Sequence, residues 1–202
     1  MIHHLFMNSI EKFFLPPCPV SELPQELVSS GERPVLHLLR RDLEHLYLKE
    51  NSFGPDGNDK HKAPYLAAMG ILTGIDMMAK FYNDSGRPGV IFKRFLQEVC
   101  GVSYAEAKFA WEFRNALHHS YSLDLGILSN TVFTTEVANV HWYSVRNGEH
   151  RVTLWGLKRF FFAAIEKYKV LLASNSGLRD KFEQHYVKSG RIYVTSHEKR
   201  PA

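Results

Sequence analysis

Cysteine is scarce in the chain: Cys18 and Cys100 are the only two, too few and too far apart for a disulfide framework or a CxxC-type metal site. Both are expected as free thiols. No apolar run reaches the roughly 18 residues that a membrane-crossing helix needs, so no membrane partner is expected. The apolar stretches around residues 5–7 and 13–15 lack a basic flank and a small-residue cleavage site, and Pro16 and Pro17 interrupt them. No secretory leader is therefore expected, and the expected location is the cytoplasm. Internal repeats and low-complexity tracts are missing as well. Eleven histidines are present, but His3-His4, His118-His119, His141 and His150 show no HExxH or comparable ligand spacing. Neither a metal nor any other cofactor is therefore expected.

What the chain does have is apolar bulk. Hydrophobic residues make up 45% of its 202 residues and aromatic ones 13%, enough to bury one core and too much for a disordered chain. The net charge of +4 is unevenly spread: residues 1–100 carry 11 Lys/Arg against 12 Asp/Glu, and residues 101–202 carry 14 against 9. A basic half is compatible with a phosphate backbone as partner, and equally with ordinary surface variation.

Periodicity divides the chain into an N-terminal arm (1–32), a helical domain (33–188) and a C-terminal tail (189–202). The arm, with Pro16, Pro17, Pro19 and Pro24, reads as irregular and packed by its aromatics, with a short helix over 7–14. Helices are expected over 34–50, 64–83 and 90–99, the first closed by a Gly- and Asn-rich loop at 51–62. Gly70 and Gly74, four apart on the second of these, leave room for another helix to approach. Ser103 and Glu106 form a capping box that starts a fourth helix running to about 121, with Phe109, Phe113 and Leu117 on its core face. The region 131–154, rich in Val, Thr and aromatics and holding Asn147-Gly148, reads as two or three antiparallel strands. Trp142, Tyr143 and Trp155, in and just after it, suit either base stacking or core packing. Helices over 155–174 and 177–188 follow, then a frayed tail. The fold class is mainly α, a bundle of four to five of these helices with a β-hairpin insertion.

The chemically distinctive run is Arg114-Asn115-Ala116-Leu117-His118-His119. On a helix, Arg114 and His118 share one face, and Asn115 and His119 the neighbouring one. A planar five-donor cation, an amide and two imidazoles within one and a half turns suit a phosphodiester: the cation holds anionic oxygens and the imidazole moves protons. The same residues also suit a plain structural role, with histidines capping the last turn and Arg114 paired to a carboxylate. Asp76 falls on or beside an apolar helix stripe, where a carboxylate must be paired or lie at an interface if it does not face solvent.

The run resembles the R-N-x-x-x-H form of the R-x4–6-H motif of the HEPN superfamily, helical bundles that include toxin and defence ribonucleases. The resemblance covers about residues 33–175 and implies an up-and-down bundle in which Arg114 and His119 are the catalytic pair and Asn115 orients or binds the phosphate. It implies a metal-independent endoribonuclease in which the 2′-OH attacks the adjacent phosphorus. It also implies RNA or a nucleotide as ligand, a homodimer lining one cleft with two motifs, and an antitoxin or other regulatory protein as a candidate partner. His118 stands at a variable motif position and is kept as a substrate contact; Asp76 is kept as a support for Arg114 or His119. The competing reading is a non-catalytic HEPN-like module that binds a nucleotide or a protein.

Overall fold

The computed structural model describes residues 7–46, 64–83, 85–119, 130–134 and 141–194. The expected helix ends at 47–50 and 120–121, the loop at 51–62, residues 135–140 of the strand region and the tail from 195 lie outside the described residues. Among those described, eight helices and five short strands follow in the order α1 (Ser9–Phe13), α2 (Gln25–Ser30), β1 (Glu32–Pro34), α3 (Val35–Leu46), α4 (Pro64–Tyr82), α5 (Pro88–Glu98), α6 (Tyr104–His119), β2 (Thr131–Thr134), β3 (Tyr143–Arg146), β4 (Glu149–Thr153), α7 (Leu154–Ser174), α8 (Ser176–Ser189) and β5 (Arg191–Tyr193). The chain is mainly α.

Helix α4 is the centre, in contact with α3, α5, α6, α7 and α8. Its sequence is apolar on nearly every side, and Ala67, Ala68, Ile71, Leu72, Ile75, Met78 and Ala79 are buried. A helix surrounded by neighbours has to be apolar all round. The two glycines serve two different helices: a Cβ on Gly74 would meet the Phe161 ring of α7 at 2.6 Å, and one on Gly70 would meet Leu43 of α3 at 2.7 Å.

The N-terminal segment contributes to this core. Phe13 and Phe14 are buried and pack their rings, mostly edge to face, against Phe81, Tyr168, Phe182 and Tyr186. The segment is more ordered than its prolines suggest. Asn8 and Glu11 form a capping box on α1, and α2 begins after Pro24 and ends at Gly31 in the left-handed region. The tail does not fray where expected: β5 pairs antiparallel with β1, Glu32 opposite Tyr193 and Pro34 opposite Arg191. Buried Glu32 accepts a hydrogen bond from Tyr186 at 2.6 Å and lies 3.6 Å from Arg191, which ties both chain ends to α8.

The strand region departs from the expected all-antiparallel arrangement. The β3–β4 hairpin turns at Asn147-Gly148, both with positive φ, but β2 pairs parallel with β4, giving the order β2-β4-β3. β2 and β3 thus lie at opposite edges of the sheet, with β4 between them. Thr153 then caps α7, its hydroxyl accepting from Gly156 N at 3.0 Å. The capping box of α6 is present as expected: Glu106 accepts from Ser103 N at 2.8 Å, and Ser103 Oγ accepts from Glu106 N at 3.2 Å.

Candidate active site

Three helices meet at one open groove of about 540 Å³. Helix α4 brings Asp76 and, one turn later, Lys80; the start of α5 brings Arg87, Gly89 and Lys93; the second half of α6 brings Trp111, Arg114, Asn115 and His119. Of the five residues singled out in the sequence, Asp76, Arg114, Asn115 and His119 line this groove. His118 does not.

The Arg114 guanidinium is held on three sides. Its Nη2 is 3.3 Å from Asp76 Oδ2, its Nη1 donates to Asn115 Oδ1 at 3.1 Å, and it lies 5.3 Å above the Trp111 ring. Its Nε is buried without a hydrogen-bond partner. Because a guanidinium has only donors, the Asn115 atom facing it must be the carbonyl oxygen, which leaves the Asn115 amide hydrogens free to donate elsewhere. Asp76 is buried, and its Oδ2 is also 3.0 Å from Lys80 Nζ. One carboxylate thus serves two cations.

Trp111 sits where it does because Gly89 has no side chain. A Cβ there would fall 2.7 Å from Trp111 Cε2 and 2.9 Å from its Nε1. The first turn of α5 therefore presses on the indole, and the indole supports Arg114.

His119 closes α6 and is exposed. Among the described residues its ring makes no hydrogen bond or ion pair, so it is available to a ligand. His118, one residue earlier and about 100° round the helix, faces α4 instead, with Nε2 3.3 Å from Thr73 Oγ1. The Thr73 hydroxyl is also 2.8 Å from Met69 O, so His118, Thr73 and the α4 backbone form one hydrogen-bonded group. Burial, followed by the charge of Arg114, lowers the His118 pKa below the ordinary imidazole value. Its role here is to join α6 to α4.

Lys80, Arg87, Lys93 and Trp111 were not singled out in the sequence. Two signals existed: Lys80 is four residues after Asp76, and Arg87-Pro88 marks a helix start with Pro in the first turn, two residues before the expected start of α5. Trp142 and Trp155 are buried and the Tyr143 ring lies tilted against Phe109 at 4.4 Å, so these aromatics pack against the core. Cys18 and Cys100 are free thiols, and burial pushes that of Cys100 up to about 12. Among the described residues no three His, Cys, Asp or Glu gather in a metal-binding cluster, and no helix is long and apolar enough to cross a membrane. Comparison with family models, with curated proteins and with solved structures returns no match.

Proposed function

We propose that the protein is a metal-independent endoribonuclease of the HEPN type, acting as a toxin or defence enzyme in the cytoplasm. One observation carries the reading: Arg114, Asn115 and His119 open together into a groove lined by further cations. The position of the motif supports it too, late in a capped helix packed on α4 and α5 and followed by the long α7, as an up-and-down bundle of this type requires.

In this reading the scissile phosphate lies against Arg114 and receives a hydrogen bond from the Asn115 amide. The ribose 2′-oxygen forms a bond to phosphorus, the bond to the 5′-oxygen breaks, and the products are a 2′,3′-cyclic phosphate and a 5′-hydroxyl. His119 moves the proton, and Arg114, already fixed by Asp76 and Trp111, offsets the charge that develops on the phosphorane oxygens. A single imidazole cannot at once take the 2′-proton and give one to the leaving oxygen. Two copies of the chain with their grooves facing would supply both, which is the reason to include a homodimer; an antitoxin would act by covering the same groove.

A second reading draws on the same geometry. Both Nη nitrogens of Arg114 already have protein partners, as suits a static nucleotide- or protein-binding module. Incubating the purified protein with RNA in EDTA, beside Arg114→Ala and His119→Ala, separates the two. EDTA-resistant cleavage lost in both variants is the expected result. No cleavage of any RNA, with nucleotide binding retained, would establish the module instead.

A further inference from the structure

The groove holds more positive charge than one phosphodiester needs. Lys80 and Arg114 share the carboxylate of Asp76, but Arg87 and Lys93 have no carboxylate within 4 Å among the described residues. Lys93 lies 5.9 Å over the exposed ring of Tyr104, a contact that neutralises nothing. Arg87 is the N-cap of α5 and adds to the positive end of that helix dipole; Lys93 stands in its second turn. A single phosphate on Arg114 carries one negative charge. Two cations beside it, on a different helix and with no carboxylate partner among the described residues, suit further negative charge along the same groove.

We propose that Arg87 and Lys93 form a second phosphate subsite, so that the groove takes an RNA strand through at least two consecutive phosphates and not a mononucleotide. The inference rests on the groove being an RNA site, and it adds where the strand runs: from Arg114 across the start of α5. Phosphate contacts of this kind set register without reading sequence. The subsite therefore selects for chain length and leaves base preference to other contacts.

The test is binding, so it stands apart from whether the protein cuts. A 2′-O-methyl dinucleoside monophosphate and the matching trinucleoside diphosphate, neither of which can undergo 2′-OH attack, are titrated by NMR against wild type and the Arg87→Ala/Lys93→Ala double variant. Arg87 is exposed and Lys93 half-buried, so the core stays intact. The wild type is expected to bind the longer ligand about tenfold more tightly, the size of one charge-assisted hydrogen bond, and the double variant to lose that gain while keeping its affinity for the shorter one. For a 2′-O-methyl strand of about twelve nucleotides, the dependence of log K on log salt should flatten by about 0.7, the value for one single-strand phosphate contact. A Lys181→Ala/Lys188→Ala control removes the same charge from exposed positions on α8 and should leave the slope unchanged. An unchanged slope in the double variant, or an equal flattening in the control, overturns the subsite even if RNA is cleaved. Tight binding of an acidic peptide with none of the oligonucleotide would reassign the groove to a protein partner and overturn it too. Binding as expected without cleavage by the wild type would leave the subsite standing and remove the enzyme.

Discussion

Asp76 and Arg114 meet across the packing of α4 on α6, Oδ2 to Nη2 at 3.3 Å, with the carboxylate buried and the guanidinium about one-fifth exposed. The pair explains why an acid stands among the apolar residues of α4: it orients the one permanent cation of the motif. Asp76→Asn keeps the shape and removes the charge. The expected outcome is a loss of about 1–3 kcal/mol in stability, limited by the partial exposure of Arg114. The accompanying fall in kcat, with KM little changed, should reach about a hundredfold, the scale of a misplaced catalytic group. Thermal melts and cleavage kinetics measure the two, and a fall in Tm with kcat intact would leave Asp76 a purely structural acid.

Gly89 should be sensitive for a reason unrelated to its own backbone. Its Cβ would collide with Trp111, and moving Trp111 moves the surface on which Arg114 rests. Gly89→Ala is expected to cost about 1–3 kcal/mol, the usual range for overpacking, and to lower activity. Trp111→Phe in the same chain should recover much of the stability by making room. Recovery is read from Tm; a double variant no more stable than Gly89→Ala would show that the indole is not the obstacle.

Two histidines make the fold acid-sensitive. His37 is fully buried, its Nδ1 3.1 Å from the Pro16 carbonyl oxygen, and burial lowers its pKa with help from Arg40 and Arg41. His118 is lowered in the same direction. A histidine harder to protonate when folded than when unfolded favours the unfolded chain once protons become available. Stability should therefore fall as pH drops below about 6.5, the ordinary imidazole value. Tm at pH 5.5 is expected to lie below that at pH 7.5, and His118→Gln should narrow the gap. An unchanged gap would remove His118 from the account.

The parts legible in the sequence were those written locally. Ser103 and Glu106 are three residues apart and marked the start of α6; Asn147-Gly148 marked the β3–β4 turn; the apolar stripe of α4 marked a helix with one apolar side, though not its central place. Pairings between distant segments left no such trace. Strands β1 and β5 meet across some 160 residues, and a parallel pair such as β2 and β4 has no turn to announce it. The candidate site was half legible for the same reason. Helical spacing placed Arg114 beside His118 and Asn115 beside His119, but only the position of α4 decides that His118 faces Thr73 while His119 faces the groove. Charge counted along the chain pointed to the second half, yet Lys80, Arg87 and Lys93 come from the first; the fold gathers them where α4 and α5 meet α6.

The most direct measurement is the chemistry of the RNA ends left by the protein in EDTA, read by mass spectrometry for wild type, Arg114→Ala and His119→Ala. The account predicts 2′,3′-cyclic phosphate and 5′-hydroxyl ends from the wild type, no cut at a position carrying 2′-deoxyribose, and no products from either variant although both remain folded. Cleavage that persists in either variant, or cuts at 2′-deoxy positions, would contradict it.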